Sequence, residues 1–211
     1  MNQEPAFFRT LGEIVAPGHT AVVVVDMQND FCSPDGYFGK RSDVSMVHEM
    51  MPSLERFLAG CREAGLRIAH FAMYFSPQTT TGPMYERRNR VGYTEDYLIE
   101  GTWGSAICDN LLPQAGEPVF PKYRYDGLTS DAFRSWLKEN EIKTLVLTGV
   151  ATNVCVESTA RDAYMSGYYV VMVEDCLAAY SREEHRMALQ NTTRFFGNVA
   201  TSHELLEIWR G

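Results

Sequence analysis

The sequence predicts an α/β fold in three layers, with a central, mostly parallel sheet between two layers of helices, as in Rossmann-like proteins. Apolar runs of strand length recur along the chain and alternate with stretches that have helical apolar spacing. Several of these runs are apolar throughout, which is typical of parallel strands covered on both faces. With 211 residues and 45% hydrophobic content, the chain is long enough for one sizeable core, and we expect a single domain over residues 1–211.

Six segments have the composition of strands. The first, residues 20–26, is mostly valine and ends in the acid Asp26. A shorter segment, 118–122, ends in Lys122. The remaining four predicted strands are 66–75, 142–150, 168–175 and 198–202.

Five segments have the spacing or the boundary signals of helices. Ser181 and Glu184 form a capping-box pattern at the start of one of them, and Gly197 follows its end. Another opens at Cys155, directly after an apolar run and a short polar turn. The five predicted helices are 47–64, 130–140, 155–167, 182–195 and 203–209.

The long connection over residues 76–116 interrupts this alternation. It contains a Thr- and Pro-containing stretch, a basic cluster at residues 87–90 and the Gly-Thr-Trp-Gly sequence at 101–104. Connections of this length in compact α/β domains are more often functional than neutral spacers. We therefore expect a lid or substrate loop within about 76–116.

Charge and composition restrict the kind of partner. The formal net charge of -8 is spread over the chain without long runs of one sign, so nothing indicates binding to nucleic acid or to a membrane, and a small-molecule substrate is expected. No apolar stretch has the length of a membrane span, and the N-terminus lacks a signal-peptide pattern, which predicts a cytoplasmic location. The five scattered cysteines argue against a disulfide framework and a structural zinc site.

Three reactive side chains follow three different predicted strands. Ligands of open parallel sheets bind outside the carboxyl ends of the strands, where Asp26, Lys122 and Cys155 are all expected. A carboxylate can accept the proton of a thiol and return it to a leaving group, while an ammonium orients the carboxylate. The start of a helix is also expected to favour the thiolate form of the cysteine. Spacing alone leaves the acid and the lysine as candidates beside the cysteine.

None of the five histidines lies where a Cys-His pair would require it. For each of them, a structural or surface role is the favoured interpretation. A catalytic set built on a carboxylate makes a histidine unnecessary.

Three sequence blocks resemble the signatures of the isochorismatase-like cysteine hydrolases. They are Val-Val-Val-Asp26-Met-Gln-Asn-Asp-Phe31, Val-Phe-Pro-Lys122 and Thr148-Gly-Val-Ala-Thr-Asn-Val-Cys155-Val-Glu-Ser-Thr-Ala-Arg-Asp-Ala, in the order and spacing of that family.

The resemblance implies a nucleophile at Cys155, a general base and acid at Asp26 and a cationic third member at Lys122. It also implies a cis peptide between Val150 and Ala151, with the N–H groups of Ala151 and Cys155 forming an oxyanion hole. The implied reaction is acyl transfer through a covalent thioester.

Within this family the chain is most similar to the ureidoacrylate amidohydrolase and the biuret or triuret hydrolase branch. The likeness lies in residues 101–104, 121–125, 151–159 and 194–197. It implies a ureido or carbamoyl substrate, no cofactor and a homodimer or homotetramer. Nicotinamidase-like members carry metal ligands after the second strand, whereas residues 71–77 offer none, so we expect no metal.

Further residues are candidates for contacting the substrate. Phe31 and Tyr37 could wall the site, Gln28 could donate hydrogen bonds, and Arg87 and Arg90 could bind a substrate carboxylate. The predicted set also includes Trp103, Tyr125 and Asn153. For each, a packing or surface role is the alternative. Two alternative functions stay open: an isochorismatase- or nicotinamidase-type hydrolase, and a catalytically silent binding subunit.

Overall fold

The computed structural model describes residues 6–93 and 95–211, and it contains a central sheet of six parallel strands. The strands lie in the order β3-β2-β1-β4-β5-β6. Their bounds are β1 Thr20–Val25, β2 Arg67–Met73, β3 Val119–Lys122, β4 Thr144–Val150, β5 Tyr169–Ala178 and β6 Asn198–Ala200. The predicted α/β class and parallel sheet are confirmed, and every strand in the described part of the sheet pairs in the parallel direction.

The central strands are covered on both faces. Every residue of β1 and of β4 is buried, although successive side chains of a strand point to opposite faces. The described residues form eight α-helices: α1 Leu11–Ile14, α2 Asn29–Cys32, α3 Ser45–Glu63, α4 Gly82–Arg90, α5 Asp131–Glu139, α6 Glu157–Met165, α7 Arg182–Asn191 and α8 Ser202–Arg210. Helix α3 packs against β2, β4 and β5, and α8 packs against α3 and β5.

Two predicted helices have different boundaries in the structure. The helix predicted to begin at Cys155 begins instead at Glu157, as α6. Cys155 itself lies in a π-helical turn, Thr152–Val156, that precedes α6. The helix predicted over 182–195 is regular only to Asn191 and continues as a second π turn, Thr192–Phe196. In both places the backbone makes wider hydrogen-bonded turns than the apolar spacing alone indicates.

The connection at 76–116 contains the regular helix α4, which the sequence prediction missed. Its apolar residues are too few to form a stripe, since most of α4 is charged or polar. Thr94, within the predicted lid, lies outside the described residues, as do residues 1–5 of the predicted single domain. Both the lid and the single domain stay predictions. No helix in the described part of the chain combines the length and the apolar character that crossing a bilayer requires.

The sheet brings the ends of β1, β3 and β4 to one edge. Val25 at the end of β1 pairs with Gly149 near the end of β4, and Lys122 at the end of β3 pairs with Met73 of β2. Gly149 has φ 97°, and a side chain there would collide with the carbonyl of Val25. This close approach keeps β1 and β4 together where the functional side chains leave the sheet.

Candidate active site

Asp26, Lys122 and Cys155 meet in one buried cluster at this edge of the sheet. The Lys122 Nζ atom lies 2.7 Å from the Asp26 Oδ2 atom, and neither side chain has any exposure to solvent. The Cys155 thiol is buried beside both groups, near enough to influence the pKa of the carboxylate and of the ammonium. The three residues that sequence spacing placed after three separate strands are therefore adjacent.

The main chain around the cluster fixes the carboxylate and the ammonium. Asp26 has a positive φ of 52°, an uncommon conformation for a residue other than glycine, and its N–H donates to the Phe71 carbonyl at 3.2 Å. The Lys122 ammonium also donates to the Arg124 carbonyl at 3.1 Å. The same Lys122 Nζ atom also contacts the Met73 Sδ atom at 3.5 Å. The cation is therefore held by its own loop as well as by the acid.

Burial controls the protonation of the cluster. It raises the pKa of Asp26 above its ordinary 3.8, although Lys122 acts in the opposite direction. Burial alone would lower the pKa of Lys122, but the neighbouring Asp26 and Cys155 raise it, and the balance is upward. The ammonium therefore stays charged beside the carboxylate.

The prediction that a helix start makes Cys155 a thiolate is wrong. Burial raises the pKa of the Cys155 thiol well above its ordinary value, and the nearby Lys122 only partly offsets this. Cys155 is 3% exposed and belongs to the π turn, ahead of the regular helix whose dipole was expected to stabilise the thiolate. The resting thiol therefore holds its proton and needs a base in contact with it.

The turn that carries Cys155 begins at a cis peptide between Val150 and Ala151. The N–H groups of Val154 and Val156 both donate to the Ala151 carbonyl, at 3.0 and 3.3 Å. The N–H groups of Ala151 and Cys155 take part in neither bond, and both residues line the adjoining cavity. This arrangement suits the predicted oxyanion hole, which stays a prediction.

A cavity of about 310 Å³ opens above the thiol. Its wall is mainly aromatic, and it has one cationic and one anionic side chain among the described residues. Of the predicted substrate contacts, four line it: Phe31, Arg87, Tyr125 and Asn153. Nine lining residues that the sequence analysis missed are Phe38, Ser42, Met73, Phe75, Tyr93, Tyr97, Val154, Tyr180 and Glu184.

One signal in the sequence could have indicated part of the missed set. Tyr180 and Glu184 directly follow β5, whose carboxyl end lies at the same edge of the sheet as the cluster. Tyr93 and Tyr97 come from the long connection, whose path over the site no local pattern determines.

The other four predicted substrate contacts do not line this cavity. Tyr37 lies behind the wall, stacked on Tyr97 with ring centroids 4.3 Å apart. Arg90 pairs with Glu86 at 2.9 Å on the outer side of α4. The other two residues are Trp103, which is largely exposed in a neighbouring depression, and Gln28.

Gln28 is fully buried, and its amide is engaged with the main chain. The Nε2 atom donates to the carbonyls of Ser105 and Met73 at 2.8 and 3.1 Å. The Oε1 atom accepts from the Met73 N–H at 2.8 Å. The side chain therefore ties the segment after β1 to β2 and to the long connection, and its two amide donors are already in use.

The described residues contain no cluster of side chains suited to bind a metal ion. Within 6–93 and 95–211, no three His, Cys, Asp or Glu side chains are grouped so that they could hold an ion. The absence of a metal and of a cofactor from the working protein stays a prediction.

The fold and the cluster together define an α/β protein with a thiol, a carboxylate and an ammonium at the carboxyl edge of its sheet. Residues 20–204 match the isochorismatase domain. The chain is 35% identical over 200 residues to ureidoacrylate amidohydrolase RutB of Enterobacter sp. (strain 638), an alignment that covers 88% of this chain and 87% of that protein. The chain belongs to the isochorismatase family.

Two solved structures with this fold have informative descriptions. A cysteine hydrolase from Pseudomonas syringae pv. phaseolicola 1448A superposes with a TM-score of 0.83 and 25% identity, covering 93% of this chain and 95% of that one. An N-carbamoylsarcosine amidase from Thermoplasma acidophilum superposes with a TM-score of 0.71 and 26% identity, covering 87% of this chain and 96% of that one.

Gln28→Ala is expected to destabilise the fold by about 2–4 kcal/mol, because it removes three hydrogen bonds to buried main-chain groups. Urea unfolding measures the change. Asn29→Ala, which removes one hydrogen bond to the Trp103 carbonyl, is the control and should cost less than about 1 kcal/mol. Equal stability of Gln28→Ala and the parent protein would contradict the structural role.

Proposed function

We propose that this chain is a cysteine-dependent amidohydrolase that cleaves a C–N bond of a small ureido compound bearing a carboxylate. The observation that carries the proposal is the contact of the Cys155 thiol with the fully buried pair of Asp26 and Lys122, on the floor of a cavity of about 310 Å³. A cavity of this size suits a small molecule.

The first half of the reaction forms a covalent intermediate. Asp26 accepts the thiol proton while the sulfur of Cys155 bonds to the carbonyl carbon, and the carbonyl electrons move to its oxygen. When the carbonyl re-forms, the C–N bond breaks and the protonated Asp26 gives its proton to the departing nitrogen. The amine leaves, and the carbamoyl group remains on sulfur as a thioester-like adduct.

The second half returns the enzyme to its starting state. Water replaces the amine, Asp26 accepts a proton from it, and the hydroxide oxygen bonds to the carbonyl carbon. The C–S bond then breaks, the proton on Asp26 returns to the sulfur, and carbamic acid departs and loses its remaining acidic proton to solvent as carbamate. Lys122 stays protonated throughout and stabilises whichever of its two neighbours carries negative charge.

Charge development on the substrate oxygen is accommodated by the turn that carries the nucleophile. The N–H groups of Ala151 and Cys155 are not used in the hydrogen bonds that close this turn. Two amide donors directed at an oxyanion are worth about 3 kcal/mol or more in the transition state. We assign them this role, with Asn153 beside them as a further polar group of the cavity.

Arg87 narrows the substrate class. It is the one cationic side chain among the described lining residues, and it forms no ion pair with any described acid. Its guanidinium lies against the Tyr93 ring, 5.9 Å from the centroid. A guanidinium suits a carboxylate because it can donate two parallel hydrogen bonds. Ureidoacrylate and N-carbamoyl amino acids have that carboxylate, whereas biuret and triuret do not.

The names of two similar proteins support this class. One is called a ureidoacrylate amidohydrolase and the other an N-carbamoylsarcosine amidase. The homodimer or homotetramer implied by the resemblance stays a prediction beside this proposal.

Purified protein should hydrolyse ureidoacrylate or N-carbamoylglycine faster than biuret, triuret, nicotinamide or isochorismate. Cys155→Ala and Asp26→Asn should each lower the rate by about a thousandfold or more, because each removes a member of one reacting unit. Product formation is followed by ammonia release, and intact mass after a substrate pulse detects the carbamoyl adduct on the parent protein.

Cys61→Ala is the matched control, since this buried thiol belongs to α3 and should leave the rate unchanged. A Cys155→Ala protein with the parent rate would refute covalent catalysis. Turnover of nicotinamide or isochorismate alone would replace the ureido assignment. A folded protein inactive on the whole panel would support the catalytically silent alternative.

Arg87→Ala should raise KM for ureidoacrylate by about ten- to a hundredfold with little change in kcat, because the lost contact binds substrate and transition state alike. Steady-state kinetics measure both constants. Arg90→Ala, on the same helix but paired with Glu86, is the control and should keep the parent KM. Equal KM values for the two variants would contradict carboxylate binding by Arg87.

A further inference from the structure

His185 contacts the turn that carries the nucleophile, although it does not line the cavity. The Oγ1 atom of Thr152 lies 2.9 Å from the Nδ1 atom of His185. Thr152 is fully buried, and His185 is partly buried on α7. In the sequence, Thr152 stands between Ala151 and Asn153, both of which line the cavity. The turn thus directs two residues toward the substrate space and one toward α7.

The turn has few other anchors. Within it, the Ala151 carbonyl accepts the N–H groups of Val154 and Val156, and the Thr152 carbonyl accepts that of Glu157. These bonds shape the turn but do not fix its position in the protein. The Cys155 carbonyl accepts the Thr159 hydroxyl at 2.8 Å, and that hydroxyl accepts the Gly127 N–H at 3.0 Å, which is one link from this segment to the loop after β3.

Helix α7 supplies external anchors at both ends of the turn. It packs directly against the π turn, with His185 bonded to Thr152 at one end. At the other end, the Asn191 Nδ2 atom donates to the Glu157 Oε1 atom at 3.1 Å. The helix is itself fixed at its start, where Ser181 caps it and the preceding Tyr180 donates to the Phe31 carbonyl at 3.1 Å.

We infer that His185 is a positioning residue for the proposed reaction: by holding the Thr152 hydroxyl, it sets the orientation of the Ala151 and Cys155 N–H groups and of the Cys155 sulfur relative to Asp26. This inference rests on the proposed function. It assigns His185 no contact with the substrate and no proton transfer. Its effect should therefore fall on the chemical step rather than on substrate binding.

His185→Ala should lower kcat for ureidoacrylate by about tenfold with KM within about twofold of the parent value, the loss of rate expected for one misplaced hydrogen-bonded contact. His185→Asn, whose amide reaches the position of Nδ1, should restore kcat to within about threefold. His185→Gln, whose amide reaches toward the Nε2 position, should not. Met187→Ala, an exposed residue on the same helix, is the matched control and should keep the parent kcat.

A second route tests the same contact without changing the histidine. Thr152→Val removes the hydroxyl at nearly constant shape and should lower kcat as His185→Ala does. The double variant should be no worse than either single variant, since both remove one interaction. Additive losses, or a His185→Asn protein as slow as His185→Ala, would overturn the inference. Thermal unfolding of each variant identifies any that do not fold.

A measurement without substrate separates this inference from the proposed function. The rate at which iodoacetamide alkylates Cys155, followed by peptide mass spectrometry, should rise in His185→Ala and Thr152→Val but not in His185→Asn, because a loosened turn exposes the buried sulfur. If the parent protein does not hydrolyse ureidoacrylate, the proposed function fails while this arm still tests His185. If the parent is active and His185→Ala matches it in kcat and alkylation, the inference alone is refuted.

Discussion

The structure depends on one fully buried ion pair, Asp26 with Lys122. Transferring two charges from water into a protein interior costs several kcal/mol for each ion, which their mutual attraction offsets only when the geometry is good. Here the two groups are 2.7 Å apart, and the ammonium gains a further bond to the Arg124 carbonyl. Apolar residues of similar volume could fill this space without that cost. The pair is therefore best explained by the thiol that touches both of its members.

The parallel sheet brings the members of this cluster together from distant positions in the sequence. Asp26, Lys122 and Cys155 are far apart along the chain, but each follows the carboxyl end of a strand, and such ends share one edge. The two central strands, β1 and β4, are buried throughout, which fixes the places where Asp26 and the turn with Cys155 leave the sheet. The cavity wall is assembled differently, because it comes from the long connection and from the segment after β5. The sheet thus holds the reactive cluster, whereas loop segments form the cavity wall that contacts the substrate in the proposed reaction.

Local sequence patterns were sufficient to predict the parallel sheet and the three clustered residues. Valine-rich runs predict buried strands, and residues that end such runs are placed by the sheet itself. Helix α4 and the aromatic wall were not predictable in this way, since charged helices lack an apolar stripe and the path of a long connection depends on tertiary packing. Gln28 shows a second limit: an amide next to a reactive acid suggests a substrate contact, but only the fold reveals that the main chain already uses it.

The prediction that Cys155 is a thiolate was also wrong, and this affects the proposed mechanism. A helix start suggests a thiolate, whereas complete burial raises the pKa of the thiol and outweighs the nearby cation. In the proposed reaction, Asp26 must then accept the thiol proton during the attack, so its carboxyl has to be ionised beforehand. Lys122 makes that possible by lowering the pKa of a carboxyl that burial raises.

The pH dependence of kcat/KM for ureidoacrylate in the parent protein and in Lys122→Met tests this claim most directly. Since the proposed reaction needs ionised Asp26, the rate should fall as pH drops through the pKa of that carboxyl, which burial holds above 3.8 in the parent. Removing the cation should move this acid limb to higher pH by about 1–3 units. An unchanged limb in a folded, active Lys122→Met protein would contradict the account.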